Sequence, residues 1–140
     1  MNASGLLERL VKEKKALIIV SRGATVFSSD EAGLAGLLKA AKEVDPGLLD
    51  GSAVADRVVG KAAALVAISF GAGEVHALVM SRPAAELLRK GSKAFSYANL
   101  VEEIKDRSGK ATCKFERLVS GVEDPKEALR LLKEAFGRGR

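Results

Sequence analysis

A chain of 140 residues with 47% hydrophobic and 29% charged side chains has the make-up of one ordinary globular domain, expected over residues 1–136 with 137–140 as a frayed tail. Its longest apolar stretches, 16–20 and 62–69, fall well below the ~20 residues of a membrane span. The first residues lack a basic lead into an apolar run, so the expectation is a cytoplasmic protein with no membrane partner. The net charge of +5 lies wholly in residues 82–140; with aromatics at only 4% there is little to stack on bases, and nucleic acid is not expected as a partner.

Leu6, Leu7, Leu10 and Val11 recur at helical spacing behind Asn2 or Ser4, either of which suits a cap, and this helix should end near Lys14 and Lys15. Residues 16–20 form a short, β-branched apolar run, read as a buried strand. Gly23 then supplies a turn into Ala24–Phe27, the second arm of a hairpin. Ser28 and Glu31 have the spacing of a capping box, with a helix through Leu34, Leu37, Leu38 and Ala41 that stops at Asp45-Pro46-Gly47. Ser52 then suits the cap of a helix over 53–69, packed through Val54, Val58, Ala62, Leu65 and Ser69 and ended by Gly71 and Gly73. Residues 75–80 read as a central strand and Ser81-Arg82-Pro83 as the start of a helix that Gly91 ends. Lys93–Tyr97 suggests a short strand, and Leu100, Val101 and Ile104 a helical turn or two. Asp124-Pro125-Lys126-Glu127 opens a last helix through Leu129, Leu132 and Phe136. Strands separated by helices, led by a hairpin, predict a layered α/β sandwich around a mixed sheet.

The run Ala55-Asp56-Arg57-Val58-Val59-Gly60-Lys61-Ala62-Ala63-Ala64 resembles the central motif of an uncharacterised prokaryotic family of the cytidine-deaminase-like fold. Ser81-Arg82-Pro83-Ala84, Asp106-Arg107-Ser108-Gly109 and Cys113-Lys114-Phe115-Glu116 are also similar to that family, and the likeness spans about residues 6–122. The resemblance implies a three-layer α/β/α sandwich with a mixed sheet, and no particular reaction. Zinc deaminases of this fold take a His or Cys from one helix, two cysteines from a Pro-Cys-x-x-Cys start on the next, and a Glu as proton shuttle. On the helix read over 53–69, Asp56 falls near the metal-binding position and no glutamate is present. At the next helix Pro83 survives, but Ala84 and Leu87 stand where the cysteines would be. The chain holds one His and one Cys, and neither spacing nor placement makes a site of Asp56, His76 and Cys113. No metal or cofactor is expected.

Asp56, Gly60 and Lys61, with Arg57, read as the polar side of an apolar helix. A glycine within a helix costs about 1 kcal/mol against alanine, so Gly60 makes room either for a ligand flanked by Asp56 and Lys61 or for close packing. Ser81 and Arg82 end a central strand and begin a helix, where anions gather; the plain alternative is a helix cap beside an exposed arginine. Cys113, a turn from Glu116 and near Lys110 and Lys114, is either a thiolate nucleophile or a buried inert thiol. Lys105, Arg107, Lys110, Lys114 and Arg117 read as a solvated basic surface. His76, inside an apolar strand, reads as a satisfied core or edge residue. The leading expectation is a zinc-free domain binding a small anionic or nucleotide-like molecule through Asp56, Gly60, Lys61, Ser81 and Arg82. The alternatives are an enzyme using Asp56 or Cys113 without zinc, or a structural or protein/RNA interaction module. A homodimer is consistent with each.

Overall fold

The computed structural model describes residues 3–31, 33–106 and 108–138. Asn2 as a cap, Arg107 in the basic surface, and Gly139 and Arg140 in the tail lie outside the described residues, as do the side chains of Ser4 and Arg138. Helix α1 (Ala3–Lys12) turns Leu6 and Leu10 inward and leads to a hairpin of β1 (Leu17–Ser21) and β2 (Ala24–Ser29). The hairpin closes through Arg22 and Gly23, both at positive φ, a conformation that glycine takes without strain. Helix α2 (Ala35–Glu43) and short α3 (Pro46–Leu49) follow, then β3 (Ala53–Val59), α4 (Lys61–Ser69), β4 (Glu74–Ser81), α5 (Arg82–Lys90) and β5 (Ala94–Val101). A loop pinned by a bridge between Lys105 and Thr112 leads to α6 (Lys114–Leu118), and α7 (Pro125–Arg138) completes the described chain, so Gly137 and Arg138 continue that helix.

The strands form one mixed sheet in the order β2-β1-β3-β4-β5. β1 runs antiparallel to both neighbours, while β3, β4 and β5 are parallel and linked through α4 and α5. The two crossovers step in one direction, and both linking helices pack into one core cluster through Leu65 and Leu88. There Leu17, Ile19, Val54 and Ala77 of the sheet pack with Leu37, Leu65, Leu88 and Leu132 of α2, α4, α5 and α7. The alternate residues Ile18 and Ala55 meet Leu6 and Leu10 of α1 in a smaller cluster on the opposite face. Helix α4 is buried from Ala62 through Ala67, as expected of a helix apolar all round and surrounded by other helices.

The helix expected over 53–69 is instead a strand followed by a helix. Residues 53–59 pair with β1 on one side and β4 on the other, and pairing on both edges overrides the helical spacing of Val54, Val58 and Ala62. Gly60, extended at φ −99° and ψ −174°, separates the two elements. Ser52 caps nothing: its hydroxyl is buried without a hydrogen-bond partner. Ser28 and Ser29 stay in β2, Ser29 Oγ accepts from the Glu31 amide, and α2 begins only after Leu34 with no side-chain cap. Leu100 and Val101 extend β5 rather than starting a helix, since β4 offers them partners in Met80 and Ser81. Asp45 both follows α2 and caps α3, accepting from Gly47 N at 2.8 Å.

Candidate functional site

Parallel strands β3 and β4 end side by side. Val59 is in register with Met80, so the next residues, Gly60 and Ser81, stand at equivalent positions, each beginning a helix. Ligands in α/β sheets collect at such carboxyl edges, where helix N-termini present unpaired N–H groups.

The start of α4 is the unusual one. Gly60 has no side chain to serve as a cap, and the capping group comes from 55 residues away. Glu116 on α6 sets one carboxylate oxygen 2.7 Å from Lys61 N and the other 2.8 Å from Ala62 N. Two charge-assisted bonds at the positive end of a helix form a strong anion cradle. Gly60 is what admits the carboxylate: a Cβ there would stand 2.8 Å from Glu116 Oε2 and closer still to Cδ and Oε1. Glu116 is aimed by the packing of α6, where Phe115 stacks on Phe136 of α7 with centroids 4.7 Å apart and Val119 is wholly buried. The Lys61 side chain, 12% exposed, donates to Ser120 O at 3.0 Å and lies 3.6 Å from the Glu123 carboxylate. It thereby ties the segment after α6 to the same helix start.

The start of α5 is local in origin. Ser81 is buried, and its Oγ accepts from Ala84 N at 3.2 Å, with Pro83 in the first turn. Arg82 is half exposed and donates to Glu102 Oε2 at 2.8 Å, which raises its pKa further above an already high value. Ser81 and Arg82 thus stand where the sequence places them, at a strand end and a helix start.

Asp56 does not share a helix face with Gly60. Both lie on the β3 path, about 13 Å apart at ~3.3 Å per residue. Asp56 pairs with Leu17 and Ala77 and is 4% exposed. Burial pushes its carboxyl pKa up to about 7, against the pull of hydrogen bonds from the Val58 and Arg57 backbone. The regular pairing of β3 with β4 skips Arg57 and Leu78 just beyond it. Arg57 turns to the start of β1, donating from Nε to Lys15 O at 2.8 Å. Cys113 is the N-cap residue of the short α6, half-buried, with its backbone N–H on Ile104 O. His76 is buried and engaged at both ring nitrogens, by Ser96 Oγ at 2.7 Å and Glu74 Oε1 at 2.9 Å. Among the described residues no three His, Cys, Asp or Glu side chains gather as a metal site would require.

The structure therefore joins Gly60 and Lys61 with Glu116, sets Ser81 and Arg82 on the neighbouring strand end, and leaves Asp56 deeper in the sheet. In the sequence Glu116 stands out only as a neighbour of Cys113. Its role leaves no local signal beyond a glycine at the foot of a distant helix. Two surface grooves open elsewhere: one of about 660 Å³ between α2 and α7, lined by Leu38, Lys39, Lys133 and Phe136, and one of about 430 Å³ near Pro46, Asp50 and Phe70.

Residues 5–136 match the model of the TM1506 family, a domain of unknown function designated DUF1893. The chain belongs to the DUF1893 family. A crystal structure of a DUF1893 protein, TM1506 from Thermotoga maritima, is similar to it with a TM-score of 0.86 and 33% identity, over 95% of this chain and 88% of that one. No curated protein matches. Membership fixes the mixed α/β architecture across nearly the whole DUF1893 chain and assigns no activity.

Proposed function

We propose that this DUF1893 chain is a zinc-free, three-layer member of the cytidine-deaminase-like fold that binds a small anionic, nucleotide-like molecule at the carboxyl edge of β3 and β4. The fold reading is supported by the strand order, by the single antiparallel inner strand β1, and by helices on both faces. Asp56 lies on strand β3 and not on a helix, so by order of elements the counterparts are α2, after the hairpin, and α4, after β3, rather than the helix over 53–69 and the one at Pro83. Neither start carries a His or Cys, which supports a site without zinc.

One observation carries the ligand reading. A carboxylate already rests on the first two amides of α4, in the space that Gly60 leaves by having no side chain. Glu116 there stands in for the anionic group of a ligand. In this reading a phosphate or carboxylate displaces Glu116, accepts from Lys61 N and Ala62 N, and gains charge from Lys61 and, on the adjoining helix, Arg82. Glu116→Ala opens the cradle. Inorganic phosphate and nucleoside monophosphates should then raise the variant's melting midpoint more than the parent's, the added stability approaching ~2.7 kcal/mol at one hundred times the dissociation constant. Lys61→Ala added to Glu116→Ala should lose that response. If neither parent nor Glu116→Ala shifts with any of these probes, the reading fails.

A second reading, an enzyme without zinc, is favoured by Asp56, whose raised pKa suits a general base near neutral pH. It requires Asp56→Asn to abolish a turnover that the folded parent supports.

A further inference from the structure

The two edges of the sheet are built differently. At the β2 edge the pairing with β1 shifts register between Ile19 and Val20, a bulge of the kind that twists an edge away from partners. At the other edge, β5 keeps one constant register with β4 from Ala94 to Val101, with only Ala98 missing from the ladder. Among the described residues no other backbone group bonds to β5 beyond a single contact of Ala94 with Gly73. Its outer row of N–H and C=O groups is therefore unpaired. In a chain with 29% charged residues, these eight, Ala-Phe-Ser-Tyr-Ala-Asn-Leu-Val, include no charge and no proline. Tyr97, near the middle, is 41% exposed. The usual devices against strand addition, inward charges, proline and bulges, are all missing from this edge.

Charge returns at both ends of the strand, with opposite sign. Lys90 and Lys93 precede β5, and Glu102 and Glu103 follow it, Glu103 already held by Lys105 and Thr112 yet partly exposed. Glu102 is 76% exposed even while paired with Arg82. A second β5 laid antiparallel brings each basic end beside the partner's acidic end, whereas a parallel one sets lysine on lysine and glutamate on glutamate. Antiparallel pairing is also what a closed two-fold dimer demands, because each copy offers the same surface.

We infer that two copies of this chain join through β5 in antiparallel fashion, fusing two five-stranded sheets into one of ten strands. The proposal is independent of the anion cradle, which involves other strands. Sedimentation equilibrium of the full chain should give twice the 14.7 kDa of one copy. Tyr97→Lys, at an exposed position, should raise the dimer's dissociation constant by at least about tenfold, through like charges close to the two-fold axis. Lys93→Glu should weaken the dimer, and adding Glu103→Lys should restore it. That rescue cannot come from misfolding, and it is expected only of antiparallel strands. A parent that stays monomeric up to hundreds of micromolar overturns the proposal. So does a dimer indifferent to Tyr97→Lys, or a Lys93→Glu loss that Glu103→Lys does not repair while circular dichroism shows an intact fold.

Discussion

The units β3–α4 and β4–α5 are neighbours in one parallel sheet and differ at chosen points of the same path. In register, Asp56 of the first stands beside Ala77 of the second. Gly60 answers to Ser81, and Lys61 to Arg82. The second unit closes its helix start with its own serine, three residues from the amide it caps. The first leaves its start open, and Glu116 fills it from another helix. A helix that caps itself can form as soon as its strand does. One capped from 55 residues away depends on α6 and α7 being in place, so its N-terminus is a joint between distant parts of the chain. A joint of that kind is where an external anion can compete with an internal one.

The largest expected effect separates Asp56 from its uncharged counterpart Ala77. With the folded pKa near 7 and the ordinary aspartate value at 3.8, the unfolded chain releases this proton first as pH rises. The folded state holds more protons between about pH 4 and 7, so the stability contributed by Asp56 is complete below that window and falls across it, flattening above 7. At 1.36 kcal/mol per pKa step the loss is on the order of 4 kcal/mol. Asp56→Asn carries no charge to desolvate. Its urea-unfolding free energy should match the parent's near pH 4 and exceed it above pH 7. Equal slopes for the two proteins across that window would show that burial does not hold the proton on Asp56.

Next in size is the coupling across the joint. Gly60→Ala inserts a methyl where the carboxylate sits. It should cost about 2 kcal/mol, because the flexible Glu116 side chain swings off its two amides and loses both charge-assisted bonds. Glu116→Ala removes the same bonds together with the charge and should cost about 2 kcal/mol. The double variant should cost less than the sum by about 2 kcal/mol, since the methyl then meets no carboxylate. Additive costs would mean that Gly60 and Glu116 are not partners in solution.

The difference between the two units also explains what could be read from the sequence. The hairpin at Gly23, the strand over 75–80, the cap at Ser81, the stop at Gly91 and the Asp124 start of α7 are all encoded within a few residues, and each stands as expected. So does the mixed sheet, which follows from element order. What failed was non-local. Val54, Val58 and Ala62 fit a helical face as well as a strand, and only the pairing of β3 with two partners decides between them. That error carried Asp56 onto the wrong element and about 13 Å from the glycine it was meant to flank. Glu116 could not be matched to Gly60 from spacing at all. Gly60 itself reads in the sequence as a residue making room for something, and Glu116 fills that room in the structure.

The smallest expected effect tests the self-contained unit. Ser81→Ala removes one hydroxyl bond to the Ala84 amide and should cost about 1 kcal/mol, the usual value of a helix N-cap. Pro83 still presets the first turn of α5, and its ring nitrogen has no N–H to leave unpaired. The cost should therefore stay below that of Glu116→Ala and should add independently to it, because the two caps share no hydrogen-bonding group. Urea unfolding of the two single variants and the double one measures this directly. If Ser81→Ala proves the costlier change, or if its cost depends on Glu116, the two helix starts work as one capped unit and the contrast between a local and a distant cap is lost.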